Sequence, residues 1–297
     1  MTDLALQGSR GLVLGAGGSV GRAWQTGFVA GAIESGLDLG SADLIVGTSA
    51  GAIVGAEIAL GRDMRTTLPP PSQGDETPPR PDPAILAMIT GAAVAPDPAE
   101  TRRRIGAAAL EAVTPDEATA MARPNIVSMK GVPWPRRFRA AAVSITTGQL
   151  ILLDKSSGAS LQQALAASSA MPSVWPPITI GHDRYIDGGV RSSLNADAAA
   201  DADRVLVISC HSVGAATPRG AALAEEIETL RRHGPTVEVV MPAQRFLDLT
   251  DGGRDLLNPS LEIPAFEAGR RQWIDETDRV KRFWDRSTGQ PEKRMRG

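Results

Sequence analysis

Twice within its first sixty residues this chain runs a short apolar stretch into a glycine-bearing turn and then into a long run of small, helix-compatible residues. Gly11-Leu12-Val13-Leu14 enters the loop Gly15-Ala16-Gly17-Gly18-Ser19-Val20-Gly21, and a helical pattern follows from about Arg22 to Ser35, with Gly36 as its stop. Leu44-Ile45-Val46 enters Gly47-Thr48-Ser49-Ala50-Gly51, and a second helical pattern runs from Ala52 to Leu60. Strand, loop, helix, repeated, is a βαβα start. Parallel strands of one sheet need a crossover, which is right-handed in nearly all cases, so the chain is committed to the α/β class with a mostly parallel sheet.

Length and composition are compatible with that frame. The 297 residues, 42% of them hydrophobic, suffice for one large α/β domain with a sizeable core. A formal net charge of -3 argues against a nucleic-acid partner, which needs a basic face. Cys210 is the single cysteine, so no intrachain disulfide forms; this suits a reducing compartment, and a cytoplasmic location is expected. No zinc-type spacing of Cys or His occurs, and neither a metal nor an organic cofactor is expected. Met1-Thr2-Asp3-Leu4 places an acidic residue where a secretory signal would be basic. No window approaches the ~18 to 20 apolar residues of a membrane span, so any membrane contact is expected to be peripheral.

Beyond Arg62 the pattern changes. The segment from Pro69 to Pro81 is too proline-rich for a helix or a central strand and reads as a loop. Helical patterns follow at Ala84–Gly91, Ala99–Val113 and Pro115–Arg123. Phe138–Ile145 and Leu150–Leu153 read as a hairpin, Ser160–Ala170 as a helix, and Ile178–Ile180 with Arg184–Ile186 as a second hairpin leading into Asp187-Gly188-Gly189. Strands at Arg204–Ser209 and Val237–Met241 and helices at Ala221–Arg232 and Phe266–Trp284 complete the pattern. The expected organisation is one domain over 1–297. It carries a Pro-rich loop and small helical cap inserted at about 62–125, and a helical extension at about 215–297.

Three of these elements carry chemistry. GxSxG between strand and helix describes a sharp elbow: glycines on both sides let Ser49 adopt a strained backbone and present its hydroxyl above the sheet. A serine hydroxyl needs a base within hydrogen-bond reach and donors for the oxyanion it creates. Asp187, at a strand end, is a candidate base, and the amides of Gly17, Gly18 and Ser19, with Ala50 at the next helix start, are candidate donors. A triad is the alternative, because Ser49, Asp187 and His211 stand in the order of an α/β-hydrolase. His182 in a hairpin turn and His233 at a helix end read as solvated. A nucleotide loop at Gly15 fails the dinucleotide fingerprint, because Val20 occupies the position of its last glycine.

A glycine-rich loop, a GxSxG serine and a DGG aspartate in this order resemble the patatin-like phospholipase family, over about Gly11 to Ser209. The resemblance implies a three-layer α/β/α fold and hydrolysis of lipid acyl esters by a Ser49–Asp187 dyad without histidine. It implies an oxyanion hole at Gly17, Gly18 and Ser19. The pattern departs from the family's glycine triplet at Ala16 and places Val20 where an Arg or Lys is usual, with Arg22 two positions on. Arg191 is a candidate to compensate that charge. A catalytically weak lipid- or acyl-binding protein of the same fold is the alternative from another class. Trp134 and Trp175 suit either an acyl pocket or the core. The Trp273, Val280 and Trp284 stripe suits packing onto the domain, with a peripheral lipid surface as the other reading.

Overall fold

A computed structural model describes residues 8–67, 80–92 and 95–285. Most of the Pro69–Pro81 segment lies outside the described residues, as do the first seven and last twelve residues.

Eight strands form one sheet. They are β1 Arg10–Leu14, β2 Leu44–Thr48, β3 Phe138–Ser144, β4 Leu150–Leu153, β5 Ile178–Ile180, β6 Asp183–Asp187, β7 Arg204–Ile208 and β8 Thr236–Val240. The order is β5-β6-β3-β2-β1-β7-β8, with β4 also paired to β3. From β8 across to β3 every pairing is parallel, while β4 and β6 run antiparallel to β3, and β5 to β6. The sheet is therefore mixed but mostly parallel, as its two strand–loop–helix repeats require.

Helices cover both faces. Period-two alternation sends Leu12, Leu14, Ile45, Phe138, Ala140, Leu206 and Ile208 to one side, where they meet α1 (Gly18–Glu34), α2 (Ala50–Ala59), α7 (Leu161–Ser168) and α10 (Glu262–Asp285). Val13, Val46, Val205 and Val207 point the other way, against α8 (Pro218–Arg232). On that same second face Val143 and Ile186 are covered by α3 (Pro83–Ala92) and α4 (Pro98–Glu111). α5 (Glu117–Ala122) and α6 (Pro124–Val127) pack on α7 instead.

Two differences from the sequence reading have clear causes. α1 begins at Gly18, not near Arg22, so the glycine loop shrinks to Gly15-Ala16-Gly17. The Gly21 amide donates to the Gly17 carbonyl at 2.7 Å, so glycines that read as helix breakers form the first helical turn. α10 begins at Glu262, before the expected Phe266, and its stripe is buried against α1: Trp273 is 2% exposed, Val280 0% and Trp284 2%. Packing, not a lipid surface, uses that face.

Candidate active site

The site forms where two strands share one edge of a third. β3 pairs β4 along Ala140 to Val143. Its other edge is divided: β2 holds it up to Thr48↔Ala141, and β6 takes over from Asp187↔Ala142. A parallel strand and an antiparallel strand thus meet end to end, and each leaves its last residue at the junction. Ser49 follows Thr48 directly, and Asp187 is the end of β6. This register brings together two residues separated by more than a hundred positions in the chain.

Ser49 is the N-cap of α2 with φ 55° and ψ -119°, a backbone that a non-glycine residue adopts only under constraint. The constraint comes from both sides. A Cβ at Gly47 would lie 2.4 Å from Ala52 Cα, and one at Gly51 would lie 2.1 Å from the Leu14 carbonyl oxygen, so only glycines allow α2 to turn back against the end of β1. The Ser49 amide donates to Ser168 Oγ at 3.0 Å, and Ser168 is fully buried at the end of α7.

The Ser49 side chain acts on the Asp187 carboxylate and favours its ionised form, and that carboxylate accepts the Gly189 amide at 2.7 Å. Asp187 is 3% exposed. Burial pushes its pKa up to about 6, against the opposing pull of the Ser49 side chain, the Gly189 amide and the Arg123 charge. The carboxylate is therefore ionised at neutral pH but far more basic than a surface aspartate.

The glycine loop lies against both. The Ala16 amide donates to Ser193 at 2.7 Å, and a Cβ at Gly189 would lie 3.6 Å from that of Ala16. Val20 donates to the Leu256 carbonyl at 3.1 Å. Among the described residues, the amides of Gly17, Gly18 and Ser19, and that of Ala50 at the start of α2, donate to no protein group. The start of α1 thus offers unpaired donors together with the positive end of its dipole.

The departures from the family pattern resolve structurally. The Val20 side chain is fully buried in the core beside Trp24, so this position points away from the loop, and an apolar residue is what it packs best. Arg22 stays within its own helical layer, 3.8 Å from Glu262 of α10, and its charge acts on Glu57 of α2. Arg191 is taken by Asp197, which it grips with both terminal nitrogens at 2.8 and 2.7 Å. Neither is the charge beside Asp187. The His211 ring has no hydrogen bond to Ser49 or Asp187 among the described residues; it sits past the end of β7 near Arg219 and Gly253, and burial depresses its pKa to about 3. The triad alternative therefore has no geometric support.

Three residues at this site were missed in the sequence. Ser168 is one. Asn195, fully buried with φ 51°, donates its side-chain amide to Thr48 Oγ1 at 3.1 Å, to the Gly188 carbonyl at 3.2 Å and to the Ser192 carbonyl at 2.8 Å. It ties the residue before Ser49 to the residue after Asp187. An asparagine in the run Leu194–Ala200, which apart from Asn195 and Asp197 is leucine and alanine, was the available signal. Arg123 is the third; its guanidinium donates to Ala120 and Ser169 and stacks 4.5 Å from the Trp175 ring centre. Trp175 is thus a platform for a cation, while Trp134 packs on Phe138 and donates to its carbonyl at 3.1 Å.

A strained serine on a strand-to-helix elbow, a buried carboxylate and unpaired amides come together at this candidate site. Residues 12–200, more than half of the chain, match the family model for patatin-like phospholipase, and the chain belongs to that family of lipid acyl hydrolases. No curated protein matches it. Among solved structures it is similar to VipD from Legionella pneumophila, at 10% identity and TM-score 0.43 over 92% of this chain and 67% of that one. It is also similar to the type III effector ExoU, at 16% identity and TM-score 0.41 over 92% of this chain and 53% of that one. A second ExoU structure, with SpcU from Pseudomonas aeruginosa, gives 13% identity and TM-score 0.32 over 93% of this chain and 60% of that one. The chain therefore spans between about half and two thirds of these longer proteins. Among the described residues no helix is long and apolar enough to cross a membrane.

Proposed function

We propose that this chain hydrolyses carboxylic esters of lipids through an acyl-Ser49 intermediate, with Asp187 as its only protein base. The register that sets the strained Ser49 beside the buried Asp187 carboxylate is the observation that carries this reading. Asp187 takes the Ser49 proton as the oxygen attacks the ester carbonyl. The tetrahedral oxyanion then falls to the amides of Gly17, Gly18 and Ser19, with Ala50, which have no competing protein acceptor. Collapse expels the alcohol, which receives the proton from Asp187. In the second half Asp187 deprotonates a water, which attacks the acyl carbonyl and releases the fatty acid and the free serine. A pKa near 6 suits both directions of this transfer at neutral pH.

Family membership supports a lipid as the substrate. The test is labelling by a fluorophosphonate probe together with turnover of p-nitrophenyl esters and phospholipid vesicles. Wild type should label and turn over, and Ser49→Ala should do neither, with a loss of at least about 10⁴-fold. Failure of wild type to label would favour a lipid- or acyl-binding protein, and labelling of Ser49→Ala would remove Ser49 from its role. His211→Ala should keep most of the activity if the dyad works alone.

A further inference from the structure

We propose that Arg123 is a positioning residue for this reaction: its guanidinium, fixed to the C-terminal end of α7, supplies the positive charge that keeps Asp187 ionised and able to accept the Ser49 proton. The proposal rests on the dyad reading above.

Arg123 comes from the junction of α5 and α6, outside all three sequence motifs. Its Nε donates to the Ala120 carbonyl at 2.9 Å and one terminal nitrogen to Ser169 Oγ at 3.0 Å, with longer contacts to the carbonyls of Ala166 and Ser169. The Trp175 ring closes one side. Unpaired carbonyls at a helix end attract a cation, which explains how the guanidinium is held without a carboxylate. Among the described residues it forms no salt bridge; Ser169, which it holds at 3.0 Å, is followed by Ala170, whose carbonyl accepts the Asp187 amide at 3.0 Å, and Asp187 is the acidic group whose charge acts on it. Burial draws its pKa down to about 10, which leaves it charged throughout the working range.

Seen from Asp187, Arg123 stands alone as a charge. The β3 residues across from it, Ala141 and Ala142, are apolar. The end of α7 and the turn after it contribute Ser168, Ser169 and Ala170, the elbow contributes Ser49, and the 188–190 turn contributes two glycines and a valine. Arg191, the nearest cation in sequence, faces Asp197. Desolvation raises the pKa of a buried carboxylate, and the charge of Arg123 opposes that rise. The guanidinium lies on the α7 side of the dyad. That side is also where α7 holds the Ser49 amide through Ser168.

Titration of Asp187 by NMR of carboxyl-labelled aspartate, with the signal assigned by its loss in Asp187→Asn, reads this charge directly. Arg123→Gln, which keeps donors for the α7 carbonyls, should move the midpoint up by about one unit, and Arg123→Lys should return most of the shift. Fluorophosphonate labelling should follow: at pH 6 the rate should fall roughly fivefold in Arg123→Gln, and at pH 9 it should be unchanged. An unmoved midpoint in Arg123→Gln, or labelling slowed equally at every pH, would reduce Arg123 to a cap for α7 and overturn the proposal. Ser169→Ala removes one hydrogen bond but no charge, and its midpoint should stay at the wild-type value; a full-sized shift there would assign the effect to packing. Wild type that titrates as expected yet never labels would break the dyad reading while leaving the charge in place.

Discussion

α1 lies against α10 on one side of the sheet, and β2 meets β6 along one edge of β3; the two regions are built by opposite rules. Between the helices, large apolar groups are buried, Trp24 among them, although its ring nitrogen has no hydrogen-bond partner among the described residues. Phe28 and Trp273 meet edge to face with ring centres 5.2 Å apart, Trp24 packs on Phe246 at 5.3 Å, and the Trp273 ring nitrogen donates to Ser35 Oγ at 3.1 Å. Gly269 lets the helices approach so closely that a Cβ there would lie 2.1 Å from the Trp24 carbonyl oxygen. At the strand junction a serine has φ 55°, an asparagine has φ 51°, and a buried carboxylate has a half-buried guanidinium as its neighbouring charge, without a salt bridge. Strain and a desolvated charge sit together at the proposed site, and the packed helices offset their cost.

If that division is correct, the largest stability effects belong to the helical layer. Trp273→Ala should lower stability by about 3 to 5 kcal/mol, the usual range for a buried tryptophan truncation. Urea unfolding checks this, and the folded fraction should still label with fluorophosphonate at the wild-type rate. A cost below about 1 kcal/mol would mean that α10 is an appendage and that stability lies elsewhere.

The next effect has the opposite sign. Asp187 has a folded pKa of about 6, raised from 3.8. The folded state therefore binds more protons than the unfolded state between those values, so stability falls as pH rises through that window. Above pH 6 the ionised carboxylate costs up to about 3 kcal/mol, and below pH 4 the cost is absent. Asp187→Asn should thus abolish turnover and raise the melting temperature at pH 7.5, and the gain should vanish near pH 4. An unchanged or lowered melting temperature at pH 7.5 would show that the site is not held against its own electrostatics.

How much of this was legible follows from which interactions are local. The placement of Ser49, Asp187 and the loop from Gly15 at strand ends was readable because such sharp turns require glycines at fixed offsets, and glycine spacing survives as sequence. The strands were readable because alternation is local. The division of β3 between β2 and β6 was not, since no single segment encodes which of two strands takes the outer half of a shared edge. Arg123 was not either: an arginine after a short helix looks solvated until α7 and Trp175 close around it. Arg22 and Arg191 were natural candidates by proximity in sequence, and each is committed to a carboxylate that only the fold brings near.

The smallest effect is the sharpest check on what holds the helical layer. Arg270 of α10 reaches Glu34 of α1, one terminal nitrogen lying 2.9 and 2.7 Å from the two carboxylate oxygens, in the same interface as Trp273. Both side chains are about 40% exposed, so water and salt screen the attraction, and each must give up rotamer freedom to keep the contact. A single nitrogen shared by two oxygens also lacks the parallel fork that makes Arg–carboxylate pairs strong. Arg270→Ala should therefore shift the urea midpoint by no more than about 0.5 kcal/mol equivalent, and the shift should shrink further in 1 M salt. A cost approaching that of Trp273→Ala would mean that charge, and not apolar burial, joins α10 to α1. The contrast between a charged site and an apolar scaffold would then not hold for this molecule.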